Sequence, residues 1–175
     1  MHSGPMTIHS SHPFEVPAEQ RNQLRRLRGR LAAPVTVWTA HRASDRPVGL
    51  TVSSVLLADG QPPVVLGLID PDADLLDGIR ESGRFAVNVL SWPHRQLADA
   101  MAGLAPAPGG AFRLGEWTAT PSGPVLVDSA GWLTAGVEGE PVEAGYSLLV
   151  RGRVTDVHVG TVDPLQHLLG RYRQP

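Results

Sequence analysis

Apolar residues return at Leu24, Leu27 and Leu31 among Arg21, Arg25, Arg26, Arg28 and Arg30, a spacing that predicts an amphipathic helix over 18–33 with a solvated basic side. Pro34 stops it. The β-branched and aromatic run Val35-Thr36-Val37-Trp38-Thr39 fits a pleated, half-buried surface and predicts a strand. Beyond the turn residues Ser44 to Pro47, the segments 48–57 and 64–69 read as two more strands. Asp70, Asp72 and Asp74 open a helix running to about Ser82, with acids at its positive dipole end and Gly83 as its C-cap. A strand over 85–90 follows, then a helix over 93–104 with Leu97, Ala100, Met101 and Leu104 on one stripe. After a Pro/Gly loop at 105–111 come short strands around Val125, 132–137 and 148–159, and a short helical piece near 164–169.

Many strands with a few helices packed outside them predict an α+β, mainly β protein built on a β-barrel with peripheral helices. A length of 175 residues favours one domain. Met1 to Pro17 is rich in His, Ser and Pro without apolar periodicity, and is expected to form a flexible tail, leaving 18–175 as the folded unit. Within that tail His2, His9 and His12 are metal-ligand types, but a flexible tail is the favoured reading. The net charge of -2 and the mixture of signs leave no basic face, so nucleic acid is not an expected partner. The absence of cysteine removes thiol catalysis and thiolate metal sites, so redox chemistry must come from a cofactor. No apolar run approaches the ~18 to 20 residues of a membrane-spanning helix, and no basic segment followed by an apolar one opens the chain; a cytoplasmic protein without membrane contact is expected.

Thr51, Ser53 and Ser54 place three hydroxyls within four residues, in a segment from Gly49 whose backbone also offers N–H groups. Such a surface suits a phosphate, a ribityl chain or a heterocycle edge, and equally an ordinary edge strand. The segment 70–81 carries acids at positions one, three, five and twelve of a calcium-type loop, but Leu75 stands where that loop requires Gly. His94, Arg95 and Asp99 have the types of an acid–base group, and equally of a surface helix. Ser53 and Ser54 lack a nucleophile elbow, which argues against a hydrolase. Trp38, Trp92, Trp117 and Trp132 are core or interface packing, or a wall for a flat ring. These patterns single out no catalytic residue.

Six landmarks in order carry a resemblance: Arg28-Gly-Arg-Leu-Ala-Ala-Pro-Val-Thr-Val-Trp-Thr, Arg46-Pro-Val-Gly-Leu-Thr-Val-Ser-Ser-Val, Pro63-Val-Val-Leu-Gly-Leu-Ile-Asp, Ser82-Gly-Arg-Phe-Ala-Val-Asn-Val-Leu, Gly123-Pro-Val-Leu, and Pro164-Leu followed by Gly170-Arg-Tyr. Over about Leu24 to Tyr172 the chain resembles the flavin reductase-like family of split-barrel FMN-binding proteins. The resemblance implies a Greek-key split β-barrel in which Thr51, Val52, Ser53 and Ser54 line a flavin. The loop from Leu68 to Leu75, with Ile69, Asp70, Asp74 and Leu75, then stands where the family holds the flavin phosphate. It further implies FMN (alternatively FAD) with NAD(P)H as co-substrate, hydride transfer from nicotinamide to flavin, a homodimer with flavin near the subunit interface, and a partner monooxygenase that receives reduced flavin. The chain departs from the pattern twice. Asp72 and Asp74 bring carboxylates to the phosphate loop, and Tyr146, Ser147 and Leu148 replace the family's Asp-His-Thr, with Ser147 in place of the His. Those departures keep open a non-catalytic flavin- or tetrapyrrole-binding barrel, and a barrel that acts through contacts alone.

Overall fold

The computed structural model describes residues 18–175; Met1 to Pro17, with His2, His9 and His12, lie outside the described residues. Helix α1 (Ala18–Gly29) leads through β1 (Ala33–Pro34) into β2 (Thr36–His41), β3 (Pro47–Val52), β4 (Val55–Ala58) and β5 (Val64–Ile69). Helix α2 (Asp74–Ser82), β6 (Arg84–Val89) and α3 (Arg95–Met101) follow, then β7 (Trp117–Thr118), β8 (Val125–Leu126), β9 (Gly131–Val137), β10 (Val142–Ala144), β11 (Ser147–Val159), β12 (Gln166–Leu168) and β13 (Arg171–Arg173).

One antiparallel sheet has the order β3-β2-β6-β9-β11-β5-β4, with β10 paired to β11. Its two edge strands, β3 and β4, are consecutive in the chain. Ser53 and Ser54 therefore carry the backbone from one edge of the sheet to the other, and the sheet curls into a split barrel whose seam is this dipeptide. At the seam the Leu68 N–H donates to the Ser54 carbonyl (3.3 Å) and to Ser54 Oγ (3.2 Å), while Ser54 Oγ donates to the Leu68 carbonyl (3.3 Å).

Inside the barrel Trp38 of β2 and Phe85 of β6 stack with centroids 4.8 Å apart and planes at 5°. The facing wall makes room with glycines. A Cβ on Gly67 of β5 would lie 2.5 Å from Trp38 Cζ2, and one on Gly152 of β11 would lie 2.5 Å from Phe85 Cζ. Leu75, Leu76 and Ile79 of α2 join this core. The left-handed Gly83 (φ 69°) ends that helix as expected, its N–H bonded to the Ile79 carbonyl at 2.8 Å. A second core lies outside the barrel, where Val35, Val37 and Leu90 meet Leu97, Ala98 and Met101. Buried Asn88 ties β8 down: its amide donates to the Val37 carbonyl (3.1 Å), and its Oδ1 accepts the Leu126 N–H (2.7 Å).

Four boundaries differ from the sequence reading. Helix α1 ends at Gly29 rather than Ala33, because Ala33 and Pro34 pair with His167 and Gln166. The strand expected over 48–57 is two strands, because Val52 pairs with Thr36 on one edge while Val55 pairs with Gly67 on the other. The helix expected over 93–104 is a 3-10 turn at Trp92–His94 followed by α3, so Leu104 is exposed and Ala98 joins Leu97 and Met101 in the core. The expected helical piece near 164–169 is strand β12, held between β1 and β13.

Replacing Gly67 by Ala forces its methyl into the Trp38 ring. The Gly67→Ala variant is expected to lose about 1–3 kcal/mol of stability in urea denaturation; an unchanged midpoint would show that the ring moves freely inside the barrel.

Candidate functional site

Strand β5 alternates sides, and this sets the chemistry of its two faces. Val65, Gly67 and Ile69 are buried in the barrel, whereas Leu66 and Leu68 turn outward. Leu66 is registered with Leu56 of β4 and Leu68 with Leu149 of β11, so these four leucines form an apolar ledge outside the barrel. Opposite the ledge stand Leu31 and the segment from Ala32 to Pro34, with the seam residues Ser53 and Ser54 between. The space enclosed is an open cavity of about 450 Å³, edged by Arg28. A second cavity of about 340 Å³ shares Arg28, Leu31, Ala33 and Ser53 with the first and adds Arg25, Gly29, His167 and Gly170.

The structure sorts the expected site residues by face. Ser53 lines both cavities, and Ser54 lines the larger one. Thr51 points to the opposite layer, its hydroxyl donating to the Ala98 carbonyl at 2.6 Å. Val52, Ile69 and Leu75 are buried in the barrel core, where their side chains meet protein only. Asp70 accepts the Asp72 N–H at 2.8 Å. Asp74 opens α2 and lies 3.7 Å from Arg42 and 3.6 Å from Arg46. Arg42 also reaches Asp77 and Glu81, both at 2.9 Å, so the acidic segment is fastened to the β2–β3 hairpin. Within 70–81, positions from Asp74 onward are helical rather than a loop.

Ser147 is two residues before the cavity-lining Leu149 on β11, and side chains at that spacing share a strand face. Ser147, which the resemblance aligns with the family's His, is thus on the ledge side of the sheet. His94 is buried elsewhere. Its Nδ1 accepts the Ser91 N–H at 3.2 Å, so the Nε2–H is the donor toward Asp128 Oδ1 at 3.0 Å. Arg95 stacks over Trp92 at 3.7 Å. Trp38 is core, Trp117 packs edge-on to Phe112 at 5.1 Å, and Trp132 stacks on His158 at 5.5 Å; none of the four lines the seam cavity. The residues that sequence reasoning missed are Arg28, Leu31, Leu66 and Leu149. A period-two signal was available for Leu66 and Leu68, but only the pairing shows that their side of the sheet opens to a cavity.

The split barrel thus presents a concave, mostly apolar cavity at its seam, edged by hydroxyls and arginine, which is the general character of a small-molecule site. The chain belongs to the flavin reductase like domain family, whose model matches residues 28–175. It is 30% identical to the FMN reductase (NADH) RutF of Ancylobacter novellus, covering 71% of this chain and 68% of that protein. It is 28% identical to the 4-hydroxyphenylacetate 3-monooxygenase reductase component of Pseudomonas aeruginosa, covering 82% of this chain and 76% of the relative. The solved structure of flavin reductase PheA2 superposes with a TM-score of 0.79 at 28% identity, covering 88% of this chain and 97% of that one. The chain also spans 48% of the length of a Rhizobium meliloti relative, 29% identical to it over 87% of this chain. Among the described residues, no helix is long and apolar enough to cross a membrane.

The wall carrying His167 is braced from behind by Tyr172, whose ring meets His167 edge-on at 5.5 Å and whose hydroxyl donates to Asp99 on α3. Burial first, and then the Asp99 carboxylate, raise the Tyr172 pKa well above the usual phenol value. A raised folded-state value means that this stabilisation is complete below pH ~10, the ordinary phenol value, and is lost as pH rises beyond it. The unfolding temperature of the wild type is therefore expected to fall more steeply above pH ~10 than that of Tyr172→Phe. Parallel curves would remove this bond from the stability balance.

Proposed function

We propose that this protein is an NAD(P)H-dependent flavin reductase that takes FMN into the seam cavity, with residues 18–175 as a reductase domain. The observation that carries the reading is the seam itself: Ser53 and Ser54, between the two barrel edges, face a cavity whose far wall is the leucine ledge. Leu66, Leu68 and Leu149 offer a water-poor surface to the ring, and Leu31 with Pro34 closes the other side. The Ser53 and Ser54 hydroxyls and the backbone from Thr51 to Ser54 supply polar contacts at the ring edge. Ile69 and Leu75 have their side chains in the core, and neither they nor Asp70 and Asp74 line the cavity, so this reading gives none of the four a side-chain contact with the ring. The bound flavin supplies the redox chemistry, accepting hydride from nicotinamide, while the chain orients the ring and excludes water.

The protein acts as a homodimer in this reading. Leu24 and Leu27 on α1, Leu31 just beyond it, and Leu56 and Leu57 on β4 are all more than half exposed, and Leu31 and Leu56 also edge the cavity. A second subunit seated there covers these side chains and narrows the cavity mouth. The name of the Pseudomonas relative supports a partner monooxygenase that receives the reduced flavin, and a need for NAD(P)H is consistent with the cytoplasm as its place of work. Ser147 on the ledge side, in the place the resemblance gives to a His, favours one rival: a barrel that binds flavin without oxidising NAD(P)H.

Titration of the purified protein with FMN, followed by NADH and NADPH oxidation with and without added FMN, decides between these. FMN uptake with flavin-dependent oxidation is expected. Uptake without oxidation would establish the rival, and no uptake would overturn both. Ser53→Asp adds charge and bulk at the ring edge and is expected to abolish FMN binding; retained affinity would remove the seam from the site.

A further inference from the structure

The acidic segment after β5 is poorly suited to receive a flavin phosphate. Asp70 is engaged with its own loop, Asp74 is drawn toward Arg42 and Arg46, and neither they nor Asp72 line the two joined cavities. The opposite end of the groove is different. Arg25 and Arg28 are one helical turn apart on α1, both exposed, and neither is paired with a carboxylate among the described residues. Arg28 edges the apolar cavity, and Arg25, Arg28 and His167 line the smaller one, with no carboxylate in the lining of either among the described residues. The groove thus has an apolar lobe that matches a ring and a basic lobe that matches a terminal dianion, joined at Ser53.

We infer that Arg28, with Arg25, is the phosphate-recognising element of this flavin site, and that the α1 end of the groove rather than the Asp70–Leu75 loop receives the FMN phosphate. This rests on the flavin reading above. A guanidinium offers paired N–H donors to phosphate oxygens, and charge-assisted contacts of this kind are stronger than neutral ones. Discrimination by them is directly readable, because riboflavin is FMN without its phosphate.

The test is equilibrium binding of FMN and of riboflavin, followed by quenching of flavin fluorescence, for the wild type and for Arg28→Gln, Arg25→Gln and Asp74→Asn. The wild type is expected to bind FMN more tightly than riboflavin. Arg28→Gln is expected to weaken FMN by about tenfold, the worth of one charge-assisted contact, with riboflavin unchanged. Arg25→Gln acts in the same direction, and Asp74→Asn leaves the ratio as it is. Both arginines are exposed on the surface of a helix, so unchanged helical circular dichroism separates a binding effect from misfolding. An FMN to riboflavin ratio that survives both arginine changes would overturn the inference while leaving the flavin site standing. A ratio that rises selectively in Asp74→Asn would return the phosphate to the acidic loop. If neither flavin binds the wild type, the functional reading falls first and the inference with it.

Discussion

The stacked pair Trp38 and Phe85 sets the bore of the barrel. Two rings 4.8 Å apart fill the space between β2/β6 and the opposite wall, and that wall meets them with Gly67 and Gly152 because no side chain fits. The inner face of β5 is thereby committed to the rings, and the strand period sends Leu66 and Leu68 outward. The wall of the seam cavity is the reverse side of this packing arrangement. Filling the interior and building the site are two consequences of one alternating strand.

The second constraint is where the sheet fails to close by regular pairing. Strands β3 and β4 end the path, and only Ser53 and Ser54 join them, with Ser54 held to Leu68 through backbone and hydroxyl. Backbone outside a ladder has polar groups to offer a ligand, and small side chains let a flat molecule approach. A seam flanked by apolar walls thus concentrates on a few residues what binding a heterocycle requires. Charge is partitioned around it. The acids of α2 are bound to Arg42 on one side of the barrel, while Arg25 and Arg28 on α1 face the groove on the other.

Much of this was legible in the sequence, because strong local patterns survive into the fold. The β-branched run from Val35 to Thr39, the apolar run from Val64 to Ile69, the acids ahead of α2 and Gly83 behind it all mark their elements correctly. Membership of the family was also readable from six ordered landmarks, and Gly123 to Leu126 is explained by the Asn88 and Thr39 bonds that hold that segment. What was not legible depends on distant partners. Nothing local says that the chain changes edges at Ser53, or that Leu165 to Leu169 extends along β1 instead of coiling. The apolar character of Ile69 and Leu75 is plain in the sequence, but which side of the wall they occupy follows only from register. Arg28 reads as one of several solvated arginines until the groove beneath it is seen.

The division of β5 into a committed face and a free face bears on how such a barrel diversifies. A change at Gly67 or Gly152 meets an aromatic ring and disturbs the interior, whereas a change at Ser53, Leu66 or Leu68 meets only the groove. The cavity lining is therefore free to vary without eroding the scaffold, since the residues that line the groove are not the residues that hold the walls apart. A barrel of this kind needs little re-engineering to take a different guest: with the glycines and Ser54 kept, the outward leucines and Ser53 can be rewritten.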